Sequence, residues 1–358
     1  MNRIIAILVL VTSAVFVHDV AGQGMFERLN SQHSDLAAPI LLYEQTGTNP
    51  MAIVGFASGS IYGVPVATNQ SSKWISVVTA RHALQNGSTG RPITGMLVKI
   101  NMQSYGDARY LQVPLKHDPP RNYWVSPSGL DLCVIPVPPE SVQGAQLVMF
   151  NEGQIVSPET HQKWQLDPGL IVEAISIQPE YLDPIDFSTP RNLPTVRIGH
   201  LSRVGFLKLP NGQWHIRPHV IDMHSGPGNS GASVVLHVPT NKEGTAPGTD
   251  VCQYMFLGIV MGFKEEIGSY IPYEALVTNR VKETQLNLVT ADGGVSNNVA
   301  IAIKTVANPN LTYVVPVHEL ALLRDSEEYK TAVAIMGSNK QNYRMFANLP
   351  TTGKTPVQ

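Results

Sequence analysis

Three side chains able to share one proton-transfer task occur along this chain in the order imidazole, carboxylate, hydroxyl. The hydroxyl is Ser230, in the small-residue turn Ser225 to Gly231 that runs into the apolar stretch Ala232–Val238. A serine is a weak nucleophile until a base takes its proton. Glycines at 228 and 231 open backbone angles closed to other residues. The loop can therefore aim N–H groups of the Gly228, Asn229 and Ser230 stretch at one point where an oxygen would become negative. The same composition also suits a plain turn between two strands.

A base and an orienter lie upstream. Trp74–Leu84 reads as a strand ending in His82 and a short helical turn. Ser128–Pro136 puts Asp131 at the opening of an apolar strand. Singly, His82 fits a loop histidine and Asp131 a strand-start residue. With Ser230 they form the set that nucleophilic acyl transfer needs: nucleophile, base, and a group to orient the base.

The blocks Thr79–Leu84 (TARHAL), Gly129–Ile135 (GLDLCVI) and Gly226–Val235 (GPGNSGASVV) resemble the signature blocks of trypsin-like serine peptidases of the chymotrypsin fold. In motif style they are most similar to the bacterial HtrA (Deg) catalytic domains and the glutamyl endopeptidases. The resemblance spans roughly Met51 to Leu320. It implies that Ser230 attacks the scissile carbonyl, that His82 is general base and then general acid, and that Asp131 holds the imidazole. The oxyanion hole would come from Gly228, Asn229 and Ser230. Departures stand out, among them Ala232-Ser233 after Ser230-Gly231, where many relatives have a Gly-Pro or Ser-Pro pair. Asn229 is uncharged where digestive-type members carry an aspartate that pairs with a new N-terminus, so that activation switch has no partner here. After the catalytic unit no length remains for the PDZ domain of HtrA-type enzymes.

Composition favours a β-rich chain. Among 358 residues, 29 Gly and 27 Pro with only 15% charged residues favour many short strands and turns. Lys plus Arg total 25 against 27 Asp plus Glu, so no basic excess points to nucleic acid. The start of the chain has a positive Asn2-Arg3, an apolar run from Ile4 to Val17 and small residues up to Gly22, the pattern of a secretory signal peptide. An uncleaved N-terminal anchor is the other reading of that run. The expected localisation is periplasmic or secreted, with no stable membrane insertion after cleavage. The two cysteines, Cys133 and Cys252, read as free buried thiols, with a disulfide as the open alternative. No Cys/His spacing indicates a metal, and no cofactor is expected.

The expected fold is all-β: two antiparallel six-stranded β-barrels of chymotrypsin type, with a C-terminal helix and an insertion near the last strand. The division expected is 1–22 signal peptide, 23–50 lead-in, 51–145 first barrel with His82 and Asp131, 146–323 second barrel with Ser230, and 324–358 helix and frayed tail. Strands of the second barrel are expected at 146–148, 170–177, 195–202, 206–209, 214–222, 233–238, 254–262 and 300–306, with an Asn-Gly hairpin at 211–212. Residues 265–298 read as the insertion. His215 and His219, on alternating positions of one strand, read as surface residues.

The resemblance also implies a substrate cleft. Val260, Met261 and Gly262 match the strand that pairs with substrate backbone. His224 falls at the pocket base, where it would receive an acidic or polar side chain or else point away from an apolar pocket. His200 is a second candidate with the same ambiguity. The partner would be a protein or peptide substrate. The alternatives are an inactive or latent binding protein that keeps the fold, and an esterase. The order of the three residues disfavours the latter, because α/β-hydrolases run Ser, Asp, His.

Overall fold

The computed structural model describes residues 37–47, 50–66, 69–103, 107–176, 195–223, 225, 228–240, 251–263 and 311–348. The expected signal peptide, the insertion at 265–298, the strand at 300–306 and His224 lie outside these residues.

The fold is all-β. In its first half, β1 (Ala37–Glu44), β2 (Ala52–Val66), β3 (Asn69–Thr79), β4 (Gly95–Asn101), β5 (Ala108–Pro114), β6 (Trp124–Val125) and β7 (Cys133–Val137) belong to one antiparallel sheet. The strand β16 (Met345–Phe346) joins it, giving the order β16-β5-β4-β1-β2-β3-β7-β6. β5 and β7 stand far apart in that order. Even so, Leu111 and Val113 of one share a buried cluster with Ile135 and Val137 of the other. The sheet is therefore rolled around its core, as apolar faces of β-strands must be to leave water.

The expected six-stranded first barrel is thus an eight-stranded rolled sheet, extended at its edges by β6 and β16. Two boundaries move with it. Ala37–Glu44, expected in the lead-in, is a central strand with every residue but Glu44 buried. Its apolar run AAPILLY has no turn chemistry and pairs with both β2 and β4. The tail is tied down as well, because Met345 and Phe346 pair with Leu111 and Tyr110.

In the second half, β8 (Ile171–Ser176), β9 (Thr195–Arg203), β12 (His219–Asp222), β13 (Ser233–Thr240), β14 (Val251–Phe263) and β15 (Leu311–Pro316) close a barrel in the order β12-β15-β14-β13-β8-β9. β10 (Phe206–Lys208) and β11 (Trp214–Ile216) form a separate hairpin across the Asn211-Gly212 turn, where Gly212 takes φ +80°. The stretch expected as one strand over 214–222 is split, and 146–148 is irregular. Instead, Phe150 exchanges backbone hydrogen bonds with β2, through Gly63 and Ile61.

A third apolar cluster joins the halves. Tyr62, Val78 and Val134 from the first sheet pack with Val235, Phe256 and Val315 from the barrel. Phe150 stacks on Phe256 with ring centroids 4.1 Å apart. The C-terminal helix Glu327–Ser338, capped by the Ser326 side chain, seals this seam. Its Tyr329 is buried, and the hydroxyl lies 2.6 Å from Ser76 Oγ. No helix among the described residues is long and apolar enough to cross a membrane.

Candidate active site

Strand register brings the imidazole and carboxylate together. Thr79 of β3 is opposite Cys133 of β7 in an antiparallel pair. The chain leaving β3 after Thr79 and the chain entering β7 before Cys133 therefore lie at the same end of the sheet. His82 sits in the 3-10 turn Arg81–Leu84 just past β3, and Asp131 lies two residues before β7. The Asp131 turn is held by Ser126, whose Oγ accepts from Leu130 N–H and whose N–H donates to Leu132 C=O.

Asp131 Oδ1 accepts from the backbone N–H of His82 at 2.8 Å, and Oδ2 lies 2.6 Å from His82 Nδ1. An ionised carboxylate only accepts, so Nδ1 carries the proton. In the neutral ring Nε2 is then the acceptor, and it lies 2.9 Å from Ser230 Oγ. The hydrogen bond to Asp131 holds the His82 pKa above its ordinary value of 6.5, against the opposing effect of burial. The His82 side chain is 48% exposed and that of Asp131 21%, so the set opens to solvent on the His82 side.

Ser230 comes from the other half of the molecule, and the loop that carries it is docked directly on the first sheet. Ser58 of β2 donates its N–H to Ser230 C=O at 2.8 Å and its hydroxyl to Gly228 C=O at 3.0 Å. Thr79 in turn donates its hydroxyl to Ser58 C=O at 2.7 Å. Ser60 and Ser233 hydroxyls form a further hydrogen bond across the seam. Gly231 has φ +85°, and a Cβ there would overlap both the Ser58 carbonyl oxygen and the Thr79 hydroxyl. Only glycine meets both demands.

Gly228 also takes a positive φ of 82°. The N–H groups of Gly228 and Ser230 have no acceptor among the described residues, as an oxyanion hole requires before a substrate oxygen arrives. Asn229 between them is 2% exposed; its Nδ2 reaches Ser225 Oγ at 3.5 Å and its Oδ1 has no hydrogen-bond partner among the described residues. A neutral amide thus stands buried beneath the loop.

The expected cleft residues fall into two groups. Val260 does not line the cleft. Its side chain is buried in the barrel core, its C=O accepts from Gly231 N–H and its N–H donates to Ala232 C=O. Both backbone groups are spent on the serine loop, so neither is left for a substrate strand. The resemblance that placed Val260 in the cleft does not hold at this position, because the residue turns into the barrel core. Met261 is skipped where the β14–β15 register shifts, and Gly262 opposite Tyr313 has open space at its Cβ position. Met261 is half-buried and packs against the apolar cluster that joins the halves. His200 is exposed on β9 opposite Asp222, at the strand that leads toward the serine loop.

His219, expected at the surface, is fully buried, with Nδ1 accepting from Gly205 N–H at 2.8 Å. Cys133 is a free, buried thiol whose pKa burial pushes up. Among the described residues, no three His, Cys, Asp or Glu side chains gather as metal ligands. Sequence reasoning missed Ser58 and Thr79. The signal available was the alternation of Ser58 and Ser60 in an otherwise apolar strand, which marks small hydroxyls on one face.

No protein-family model and no curated protein sequence matches this chain. Among solved structures it is similar to the MamO protease domain from Magnetospirillum magneticum in its apo form. Identity is 14%, the match covers 70% of this chain and 98% of that one, and the TM-score is 0.35.

Proposed function

We propose that the protein is an exported serine endopeptidase that cleaves polypeptides through an acyl-enzyme. The observation that carries the reading is the continuous hydrogen-bonded series Asp131 Oδ2, His82 Nδ1, His82 Nε2, Ser230 Oγ, with contacts of 2.6 and 2.9 Å. It unites residues from two different sheets. A plain turn serine needs neither a base in this tautomer nor the docking bonds from Ser58.

In the first half-reaction Ser230 Oγ bonds to the scissile carbonyl carbon as its proton passes to His82 Nε2. Asp131 stabilises the imidazolium, and the N–H groups of Gly228 and Ser230 hold the oxyanion. The C–N bond then breaks as His82 returns the proton to the leaving amine. In the second half, water attacks the acyl carbon, His82 takes its proton and passes it to Ser230 Oγ, and the carboxylic product leaves. Met261, Gly262 and His200, with His224, are the candidate walls of the cleft. Export rests on the N-terminal pattern, and the mass of the N-terminus of the exported chain tests cleavage after Gly22.

The direct test is a serine-directed fluorophosphonate probe on the purified protein beside Ser230→Ala and His82→Ala. Labelling that is lost in both variants supports the reading. A folded wild-type protein that stays unlabelled refutes it, and leaves a binding protein with a peptidase fold.

A further inference from the structure

A cavity of about 180 Å³ opens beside the His82 turn, and the proton-transfer series does not use it. Its lining includes Arg81, Gln85, Pro92, His117, Arg121 and Tyr123. No carboxylate lines it, and neither arginine makes an ion pair among the described residues. The guanidinium of Arg121 is held in place: its Nε donates to His117 C=O at 3.1 Å, and its Cζ sits 5.9 Å from the Tyr123 ring centroid. His117 Nε2 lies 2.6 Å from Ile93 C=O and must donate to it, and in the neutral ring Nδ1 then accepts from the Tyr123 hydroxyl at 2.9 Å. His117 and Tyr123 thus bond to each other and to the backbone, and Arg121 bonds to a backbone carbonyl, but neither positive charge meets a carboxylate among the described residues. Burial holds the Tyr123 phenol pKa above its ordinary value, and the charges of Arg121 and Arg81 oppose that rise.

Arg121 also lines a neighbouring cavity, together with the carboxylates Glu327 and Glu328. Glu327 is engaged by Lys330 Nζ at 2.7 Å, and Glu328 accepts from the Ser326 hydroxyl at 3.0 Å.

We propose that this cavity is a carboxylate-binding subsite of the substrate cleft, in which Arg81 and Arg121 receive an acidic side chain of the bound polypeptide. The proposal rests on the peptidase reading. The cavity is smaller than the usual small-molecule pocket, so it suits a side chain. Guanidinium forks match a carboxylate bidentately, which favours an acid over its isosteric amide. Arg81 is the chain neighbour of His82, and an extended substrate advances about 3.3 Å per residue. The acidic residue therefore lies within a few positions of the scissile bond.

The test uses full-length Ser230→Ala, which cannot turn over its ligand, and isothermal titration. One peptide sequence is made with Glu or Gln at each of three positions on either side of a fixed central residue. At one position Glu is expected to bind about tenfold tighter than Gln. That ratio should fall to about one in Ser230→Ala/Arg121→Gln and in Ser230→Ala/Arg81→Gln, and keep part of its value with Arg121→Lys. Equal binding of Glu and Gln at every position overturns the proposal, as does a preference that survives both Gln variants or the absence of any peptide binding. Inorganic phosphate separates the two sources of an anion. Arginine-dependent phosphate binding without peptide discrimination would make this a free-anion site and overturn the subsite. Because the titration needs no turnover, it is decided independently of fluorophosphonate labelling of the wild type.

Discussion

Replacing Asp131 with Asn tests the whole proton path, because the two hydrogen bonds of the carboxylate leave the amide only one arrangement. Oδ1 accepts from the backbone N–H of His82 at 2.8 Å, and an amide nitrogen cannot take that place without setting donor against donor. The Asn oxygen therefore keeps the backbone, and its NH₂ faces His82 Nδ1 where Oδ2 lay at 2.6 Å. Nδ1 must become an acceptor and the ring proton moves to Nε2. That nitrogen then donates to Ser230 Oγ across the 2.9 Å contact instead of accepting its proton. The expected loss in kcat is about 10⁴-fold, equivalent to ~5 kcal/mol of barrier. The fluorophosphonate labelling rate at pH 7 should fall alongside peptide hydrolysis, and circular dichroism should be unchanged. The pH profile adds a second readout. Asp131 holds the His82 pKa above 6.5, so wild-type kcat/KM should rise through an ionisation above that value. In Asp131→Asn the midpoint of any residual acid limb should move down. A rate loss below about tenfold in a folded variant would refute the tautomer argument.

Three further outcomes are expected. Gly231→Ala forces a side chain into a left-handed position against the Ser58 carbonyl. Labelling should vanish and the thermal midpoint should drop, with a cost of about 3 kcal/mol or more; a normally labelled, equally stable variant would contradict the docking geometry. Tyr329→Phe leaves buried Ser76 Oγ without its 2.6 Å partner, and denaturant unfolding should show a loss of about 1–3 kcal/mol. Burial pushes the His219 pKa down to about 3, and those of His161 and His318 shift the same way. The unfolded chain binds these protons near pH 6.5 and the folded chain resists them. Stability should therefore fall as pH drops below 6.5, with His219 continuing to contribute down to about pH 3 and costing about 1 kcal/mol per pH unit. A flat stability profile between pH 6.5 and 4 would contradict this.

The parts of the site legible in the sequence are those whose physics is local. Ser230 stands between glycines ahead of an apolar strand, His82 closes a strand, and Asp131 opens one. Each is set by turn chemistry and a run of a few residues. The Asn211-Gly212 hairpin is legible for the same reason. The choice of face or partner is where sequence reasoning goes astray. Val260 sits in a strand that the apolar run marks correctly, yet which side of β14 meets the cleft depends on a register shift at Met261 that the alternation of side chains does not reveal. His219 reads as exposed because the partner of its ring, Gly205 N–H, arrives from another part of the chain.

The sequence by itself determined an all-β chain and the identity and order of His82, Asp131 and Ser230. Only the tertiary structure decided that these three meet, since the Thr79–Cys133 register aligns two of them and the Ser58 hydrogen bonds dock the third. It likewise decided that Ala37–Glu44 and Met345–Phe346 belong to the first sheet, and that Arg81 and Arg121 face one cavity. Backbone hydrogen bonds between strands carry no side-chain signature. Pairing between distant segments is therefore settled by the burial and register of the whole fold, not by the residues of either segment alone.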